Sequence, residues 1–320
     1  MLMNRRDLLI APAALAFAAG ADAQIDSAPV RILVGAPAGG STDTLARALA
    51  ASMGTALGRA VIVENKPGAG GNIAAEAIAR AAPDGRMLLM SFTSHAINAT
   101  LYPTLPFDPV KDFTALTCVA TSPSILVAHP SVPAKDMREL IALAKARPGQ
   151  LNIAIGALGS SLHMAGEAFK MQSGVDIVNI PYQGTSPAVQ DLLAGQVQLM
   201  FAAVGNVKAH IQAGKLKALG VSSAQRLPAF PYVPAIAEAL PGYESSAWFG
   251  LFGPARMPAA LARKISDAAR DALQQPGMRK RLDAADAMAV GNSPEQFSAF
   301  VQSEILRWAK VVKFSGARPQ

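Results

Sequence analysis

Two short runs carry the residue types that hold an anion. The first is Gly35-Ala36-Pro37-Ala38-Gly39-Gly40-Ser41-Thr42-Asp43, entered from the apolar run Ile32, Leu33, Val34. The second is Gly156-Ala157-Leu158-Gly159-Ser160-Ser161, entered from Leu151-Asn152-Ile153-Ala154-Ile155. Each reads as strand, glycine loop, helix start, with Ser41 or Thr42 available to cap the first helix. Glycine permits positive φ and leaves backbone N–H groups unscreened, and a helix N-terminus adds a dipole that favours negative charge. One such loop is an ordinary strand-to-helix connection. Two of them, far apart in the chain, imply two α/β lobes facing each other and a small carboxylate held between them.

Other chemistries find less. Ser160, Ser161 and His163 lie together, but there is no Gly-x-Ser-x-Gly elbow, and Ser161 and His163 are two apart at a helix start, where side chains diverge. A serine hydrolase is therefore the minor alternative. The four histidines, His95, His129, His163 and His210, are scattered and form no ligand set with carboxylates. Lys66-Pro67-Gly68-Ala69-Gly70-Gly71 is a third glycine loop, with Asn72 as a cap for a helix over Ile73 to Ala81. It is no dinucleotide fingerprint, because Ile73 stands where the third glycine belongs. Neither a cofactor nor a metal is expected.

The elements that must position the two loops follow from hydrophobic spacing. Leu45, Leu49, Met53 and Leu57 share one helical face. The stretch from Arg31 to Phe92 reads β-α-β-α-β, with strands at Ile32 to Val34, Val61 to Val63 and Met87 to Met90. Continuously apolar strands belong to a parallel sheet covered by helices on both faces. The third ends in Ser91-Phe92-Thr93-Ser94-His95, a polar cluster at the sheet edge where ligands sit. Tyr102 to Asp112 reads as an irregular surface segment, followed by two strand-like runs, Thr114 to Ala120 and Ser124 to Ala128. Asp136 with Glu139 caps a helix ending at Arg147-Pro148-Gly149.

The second lobe repeats the rhythm, with strands at Leu151 to Ile155, Val175 to Ile180, Val197 to Phe201 and Leu216 to Val221. Pro181-Tyr182-Gln183-Gly184-Thr185-Ser186-Pro187 is a third helix start aimed at the same edge, with Ser186 as cap. Pro228 to Gly242 is the return connection and Ser246 to Phe252 a strand leading back. The tail is helical from Pro258, and its last helix, capped by Ser293 with Gln296, places Phe297, Val301, Ile305, Trp308 and Val312 on one side. These expectations give residues 24–123 and 243–320 to a discontinuous first lobe and 124–242 to the second.

Residues 1–23 read as an export signal, with Arg5-Arg6, an apolar run from Leu8 to Ala19 and a cleavage end at Ala21-Asp22-Ala23. The run is shorter than the ~20 residues that span a bilayer. A periplasmic chain starting near Gln24 is expected. Cys118, the single cysteine, has no internal disulfide partner and belongs in the core. The composition, 51% hydrophobic and 16% charged, suits a chain folded around real cores. The formal charge of +7 survives loss of the signal and favours anionic partners. Arg279-Lys280-Arg281 and Arg307, Lys310, Lys313 read as solvated helix faces. Without aromatic interleaving they do not point to nucleic acid.

Taken together, the residues resemble the periplasmic receptors of tripartite tricarboxylate transporters, the Bug receptors. The carriers are Pro37 to Asp43, Val63-Glu64-Asn65-Lys66-Pro67-Gly68-Ala69-Gly70-Gly71, Pro83-Asp84-Gly85, Leu140 to Gly149, Pro181-Tyr182-Gln183-Gly184, Trp248-Phe249-Gly250-Leu251 and Arg307-Trp308. The resemblance implies a type II periplasmic-binding fold, two lobes that are each a mostly parallel sheet flanked by helices. It implies lobes that close on a small carboxylate and pass it to membrane permease subunits; a monomer is expected, and the alternative is a sensor that presents the ligand to a signalling partner. It places the ligand against Ala36, Ala38, Gly39, Gly40, Thr42 and Asp43, the strand end Ser91, Thr93 and Ser94, the loop Gly159, Ser160 and His163, and the turn Tyr182, Gln183 and Gly184. Asp43 has a structural role open to it as well, at the first helical turn with the loop N–H groups. Two departures bear on the ligand. Ala36 stands where the family usually has Phe, and Gln183 where it often has Lys. Either Phe92 fills the vacated space or the ligand is bulkier than a four-carbon diacid, as an aromatic acid would be.

Overall fold

The computed structural model describes residues 28–319; the export signal and its cleavage site lie outside them. The chain alternates strand and helix from the start. It runs β1 (Val30–Val34), α1 (Ser41–Leu57), β2 (Val61–Asn65), α2 (Asn72–Ala79), β3 (Met87–Phe92) and α3 (Ser94–Leu101) into the long β4 (Phe113–Ala128). It continues as α4 (Met137–Ala146), β5 (Asn152–Ile155), α5 (Ser161–Ser173), β6 (Val178–Pro181), α6 (Thr185–Leu193), β7 (Leu199–Ala203), α7 (Val204–Gln212) and β8 (Lys217–Val221). It closes with β9 (Ser246–Pro254), α8 (Ala259–Gln274), α9 (Pro276–Ala284), β10 (Met288–Ala289) and α10 (Pro294–Ser315).

The strands order as β2-β1-β3-β9-β4-β7-β5-β6, with β10 and β8 also on β4. β1, β2 and β3 pair in parallel, as do β5, β6 and β7, while β9 and β4 run antiparallel to their neighbours. Two βα units thus flank a pair of connecting strands, a two-lobed α/β arrangement. The apolar strands have a simple cause. Ile32 and Val34 face a core shared with α1, α8 and α9, whereas Leu33 faces one shared with α2, α3 and α10. α10 packs on α3 and on α5 and so ties the two lobes from behind.

Several elements differ from the sequence reading. The two runs Thr114 to Ala120 and Ser124 to Ala128 are one strand: β4 pairs with β9 from Phe113 to Pro123, then with β7 and β8 from Ser124 on. The polar break that made them look separate is where the chain changes partners. β2 is an edge strand with Ile62 exposed, not a covered one. β6 begins at Val178, three residues later than the pattern reads. None of Ser41, Thr42, Asn72 or Ser186 caps a helix with its side chain; Gly40, Gly71 and Gly184 hold those N-cap positions. Asp136 and Ser293 cap as expected. Arg307 is not a solvated helix-face residue. Its guanidinium lies 4.2 Å from the Trp308 ring centroid and pairs with buried Glu304. Cys118 is buried, and burial pushes its thiol up to about 12.

Candidate functional site

Glycine lets each lobe bring two loops together. A Cβ on Gly35 would lie 2.7 Å from Gly71 Cα, and one on Gly156 would lie 3.2 Å from the Thr185 backbone. The first contact packs the loop before α1 against the one before α2, and the second packs the loop before α5 against the one before α6. Both first loops are then braced from below. The Asp43 carboxylate accepts from the Gly39 N–H at 2.9 Å, Arg47 Nε at 3.0 Å and Asn65 Nδ2 at 2.9 Å. Burial opposes its ionisation, but the hydrogen bonds from Arg47, Gly39 and Asn65 outweigh it and hold the carboxyl below its usual range. Asn65 Nδ2 also donates to the Ala36 carbonyl, so Asp43 and Asn65 shape the loop together.

The loop before α5 is braced by a histidine. The Gly159 N–H donates to His163 Nδ1 at 3.0 Å, which places the ring proton on Nε2, 3.6 Å from Glu167 Oε1. Lys170 pairs with the same carboxylate, and Asn179 bridges both. Burial, against the pull of Glu167, lowers the pKa of His163. Ser160 caps α5 by accepting from the His163 N–H at 3.2 Å, and its hydroxyl donates to the Ala157 carbonyl at 2.7 Å. Neither ring nitrogen of His163 is turned to a serine hydroxyl, so the hydrolase arrangement is not formed.

Between the lobes lies a cavity of about 280 Å³. Ser41 and Thr42 reach it from the start of α1, Thr93 from the start of α3, Ser161 and Leu162 from the start of α5, and Ala203 from the start of α7. Four helix N-termini therefore converge on it. Phe92 and Phe249 form aromatic walls, and Ser122, Pro123 and Ser124 of β4 with Ser245 and Ala247 close the hinge side. Among the described residues no charged side chain lines it. Thr93 is fixed by its own bonds, its Oγ1 accepting from the Trp248 N–H at 2.9 Å. A small, mostly apolar cavity with converging backbone dipoles suits one buried anionic group on an uncharged body.

A second interlobe cavity, about 340 Å³, lies beside it between Gly70, Ser94, Asn98 and Tyr102 on one side and Ala157 to Ser160 on the other. The fifteen residues marked from sequence therefore divide. Thr42 and Thr93 line the first cavity, and Ser94, Gly159 and Ser160 the second. Ala38, Gly39 and Gly40 are exposed on their loop, and Ala36 packs against the first-lobe core rather than lining either cavity. Phe92 and Phe249 supply the aromatic surface there. Asp43 and His163 brace loops from beneath, and Ser91 is buried within β3. His95 is core, stacked among Phe107 and Phe252 with Nε2 donating to the Pro109 carbonyl at 2.8 Å; burial lowers its pKa to about 4. Tyr182, Gln183 and Gly184 line neither cavity; Tyr182 donates its hydroxyl hydrogen bond to Asp191 at 2.9 Å, and the Gly184 N–H bonds the Gly156 carbonyl. The hinge serines were missed. Their signal was Ser122 and Ser124 interrupting an otherwise apolar strand.

The profile of the tripartite tricarboxylate transporter family receptor matches residues 45–316. The chain belongs to that family. This receptor is 37% identical to protein BugT of Bordetella pertussis over 314 residues, 97% of this chain and 96% of BugT. A protein of R. palustris solved with adipate is 34% identical, with a TM-score of 0.75 over 91% of this chain and 98% of that one. MatC from Rhodopseudomonas palustris, with bound malate, is 35% identical, with a TM-score of 0.73 over 89% and 98% of the two chains. The receptor is thus a solute-binding protein of the two-lobed periplasmic type. Among its described residues no helix is long and apolar enough to cross a membrane, and no group of His, Cys, Asp and Glu could hold a metal ion.

Proposed function

We propose that this receptor is exported to the periplasm, captures a small carboxylate between its lobes without turning it over, and delivers it to a tripartite tricarboxylate-type permease. The carrying observation is the convergence of the α1, α3, α5 and α7 N-termini on one cavity. Each N-terminus contributes ~0.3 to 1 kcal/mol toward an anion, and each hydrogen bond to the charge ~1.5 to 3 kcal/mol. Together they offset the desolvation of one carboxylate. The adipate- and malate-bound relatives support the class of ligand. Ser41, Thr42, Thr93 and Ser161 are the proposed direct contacts. Asp43 and His163 act on the loops, and Ser94, Gly159 and Ser160 on the adjoining space. Residues 24–123 with 243–320, and 124–242, are the proposed lobes, since β4 changes partners at Pro123 and Ser124.

A thermal-shift screen of small carboxylates tests this reading. Saturation at a hundredfold above Kd stabilises by ~2.7 kcal/mol, a rise in melting temperature of several degrees. If sugars and cations raise the melting temperature and no carboxylate does, the reading fails. The Arg5-Arg6 head and Ala21-Asp22-Ala23 end set a second expectation. Mass spectrometry of periplasmic protein from the native host gives Gln24 as the first residue, and an uncleaved Met1 chain in the cytoplasm would refute export.

A further inference from the structure

Resting on that reading, we propose that His163 couples solute capture to protons: the receptor grips its carboxylate while Nδ1 of His163 is bare and loosens when that nitrogen takes up a proton. The requirement comes from one hydrogen bond. A backbone N–H can only donate, so the Gly159 N–H at 3.0 Å needs the Nδ1 lone pair. A proton on Nδ1 sets two N–H groups against each other and breaks the brace. The cost falls on the loop that faces both cavities. Gly159 and Ser160 line the second interlobe cavity and Ser161 the first, and a Cβ on Gly159 would lie 2.7 Å from Leu101 Cδ2 of the other lobe. Loop and helix start therefore lose their position together, whichever cavity takes the charge.

The surroundings keep the ring neutral at ordinary pH. The charges acting on it are Glu167 and Lys170 of its own helix, and Glu167 Oε1 lies 3.6 Å from Nε2 but 2.5 Å from Lys170 Nζ. That carboxylate is already largely neutralised by the lysine. From β6 comes Asn179, which bridges Glu167 and Lys170; Tyr243, before β9, donates to the Ala165 carbonyl, and Tyr102 faces the loop across the second cavity. β5, β6, β7 and β9 carry no titratable side chain. α10 brings Glu304 and Arg307 to Gln172, toward the other end of α5. Burial is the largest influence and lowers the pKa of His163, Glu167 raises it and Lys170 lowers it, with the balance below the ordinary histidine value. Affinity is therefore full at neutral pH and falls as acid protonates the ring. A bound carboxylate attracts an imidazolium, but Glu167 beside the ring offsets that charge, whereas the lost brace acts on the loop directly.

Calorimetric titration of the mature full-length protein with adipate, malate and benzoate between about pH 7.5 and about pH 5 tests the coupling. Protonation of the ligand itself cancels when wild type and variant are compared at one pH. His163→Asn puts an amide oxygen where Nδ1 was and does not titrate. It binds like the wild type at the neutral end, and at the acid end the wild type is the weaker by about tenfold, ~1.4 kcal/mol. His163→Ala, which has no acceptor, is weak throughout. NMR gives a readout without ligand: the Gly159 amide resonance follows the titration of His163 in the wild type. A ratio of wild type to His163→Asn that stays constant, or that favours the wild type in acid, overturns the inference while leaving the receptor reading intact. A Gly159 amide that stays unmoved while His163 titrates does the same. Failure of all three acids to bind at any pH counts against the receptor reading itself, and the Gly159 resonance then still decides the coupling of loop and proton, as it does if the variants do not fold.

Discussion

Ser161→Asp is expected to weaken carboxylate binding by about a thousandfold while leaving the protein folded. Ser161 is the first residue of α5 and lines the cavity. An aspartate there puts a fixed carboxylate where the ligand's charge would sit. At about 4 Å and an effective dielectric near 20, two like charges repel by ~4 kcal/mol, roughly a thousandfold in Kd. The same substitution suits the helix, because an acidic side chain in a first turn contributes ~0.3 to 1 kcal/mol. Opposite signs on stability and binding make the test clean. The ligand-free variant should melt at or above the wild-type temperature, and carboxylates should no longer raise it. Affinity within tenfold of wild type would mean that the α5 N-terminus does not hold the charge.

What the sequence revealed and what it hid divide along a physical line. Strands and amphipathic helices were legible because burial imposes a period: Leu45, Leu49 and Met53 are all buried in α1, and Phe297, Val301 and Trp308 in α10. The two glycine loops were legible because positive φ at Gly39 and Gly159 demands glycine. The caps at Gly40, Gly71 and Gly184 were not, since a glycine N-cap leaves the neighbouring Ser, Thr or Asn looking like the capping group.

Pairings between distant segments were also hidden. β4 looked like two strands because its partners, β9 on one side and β7 and β8 beyond Pro123, come from later parts of the chain. His163 looked like a cleft residue because the spacing to Gly159, which its ring accepts from, says nothing about which way the ring turns. The candidate site was therefore half read. The α1 and α5 starts came from local pattern, those of α3 and α7 were not read, and the α6 start that was read lines neither cavity; the wall that sets Ser122 beside Ala247 exists only through strand pairing.

Glu304→Ala is expected to cost ~3 to 5 kcal/mol, the usual loss when one partner of a buried charged network is removed. The Glu304 side chain, on α10, accepts from Trp248 Nε1 at 3.0 Å, Trp308 Nε1 at 2.9 Å and Arg307 Nη2 at 2.8 Å. Arg307 also donates to the Glu244 carbonyl just before β9. One carboxylate thus fastens α10 to the strand that returns between the lobes. Alanine strands two buried indole N–H groups, each worth ~1 to 3 kcal/mol unpaired, and leaves Arg307 without its counter-charge. Glu304→Gln, which keeps an acceptor and the volume, should lose markedly less. The damage reaches the site because Trp248 lies between Ala247 and Phe249, both in the cavity wall, and its N–H fixes Thr93. Urea unfolding of both variants gives the stability loss, and ligand titration of Glu304→Gln shows whether the hinge wall is disturbed. A loss below ~1 kcal/mol for alanine would place Glu304 among surface-like ion pairs. It would also remove α10 as the element that holds β9 in position behind the cavity.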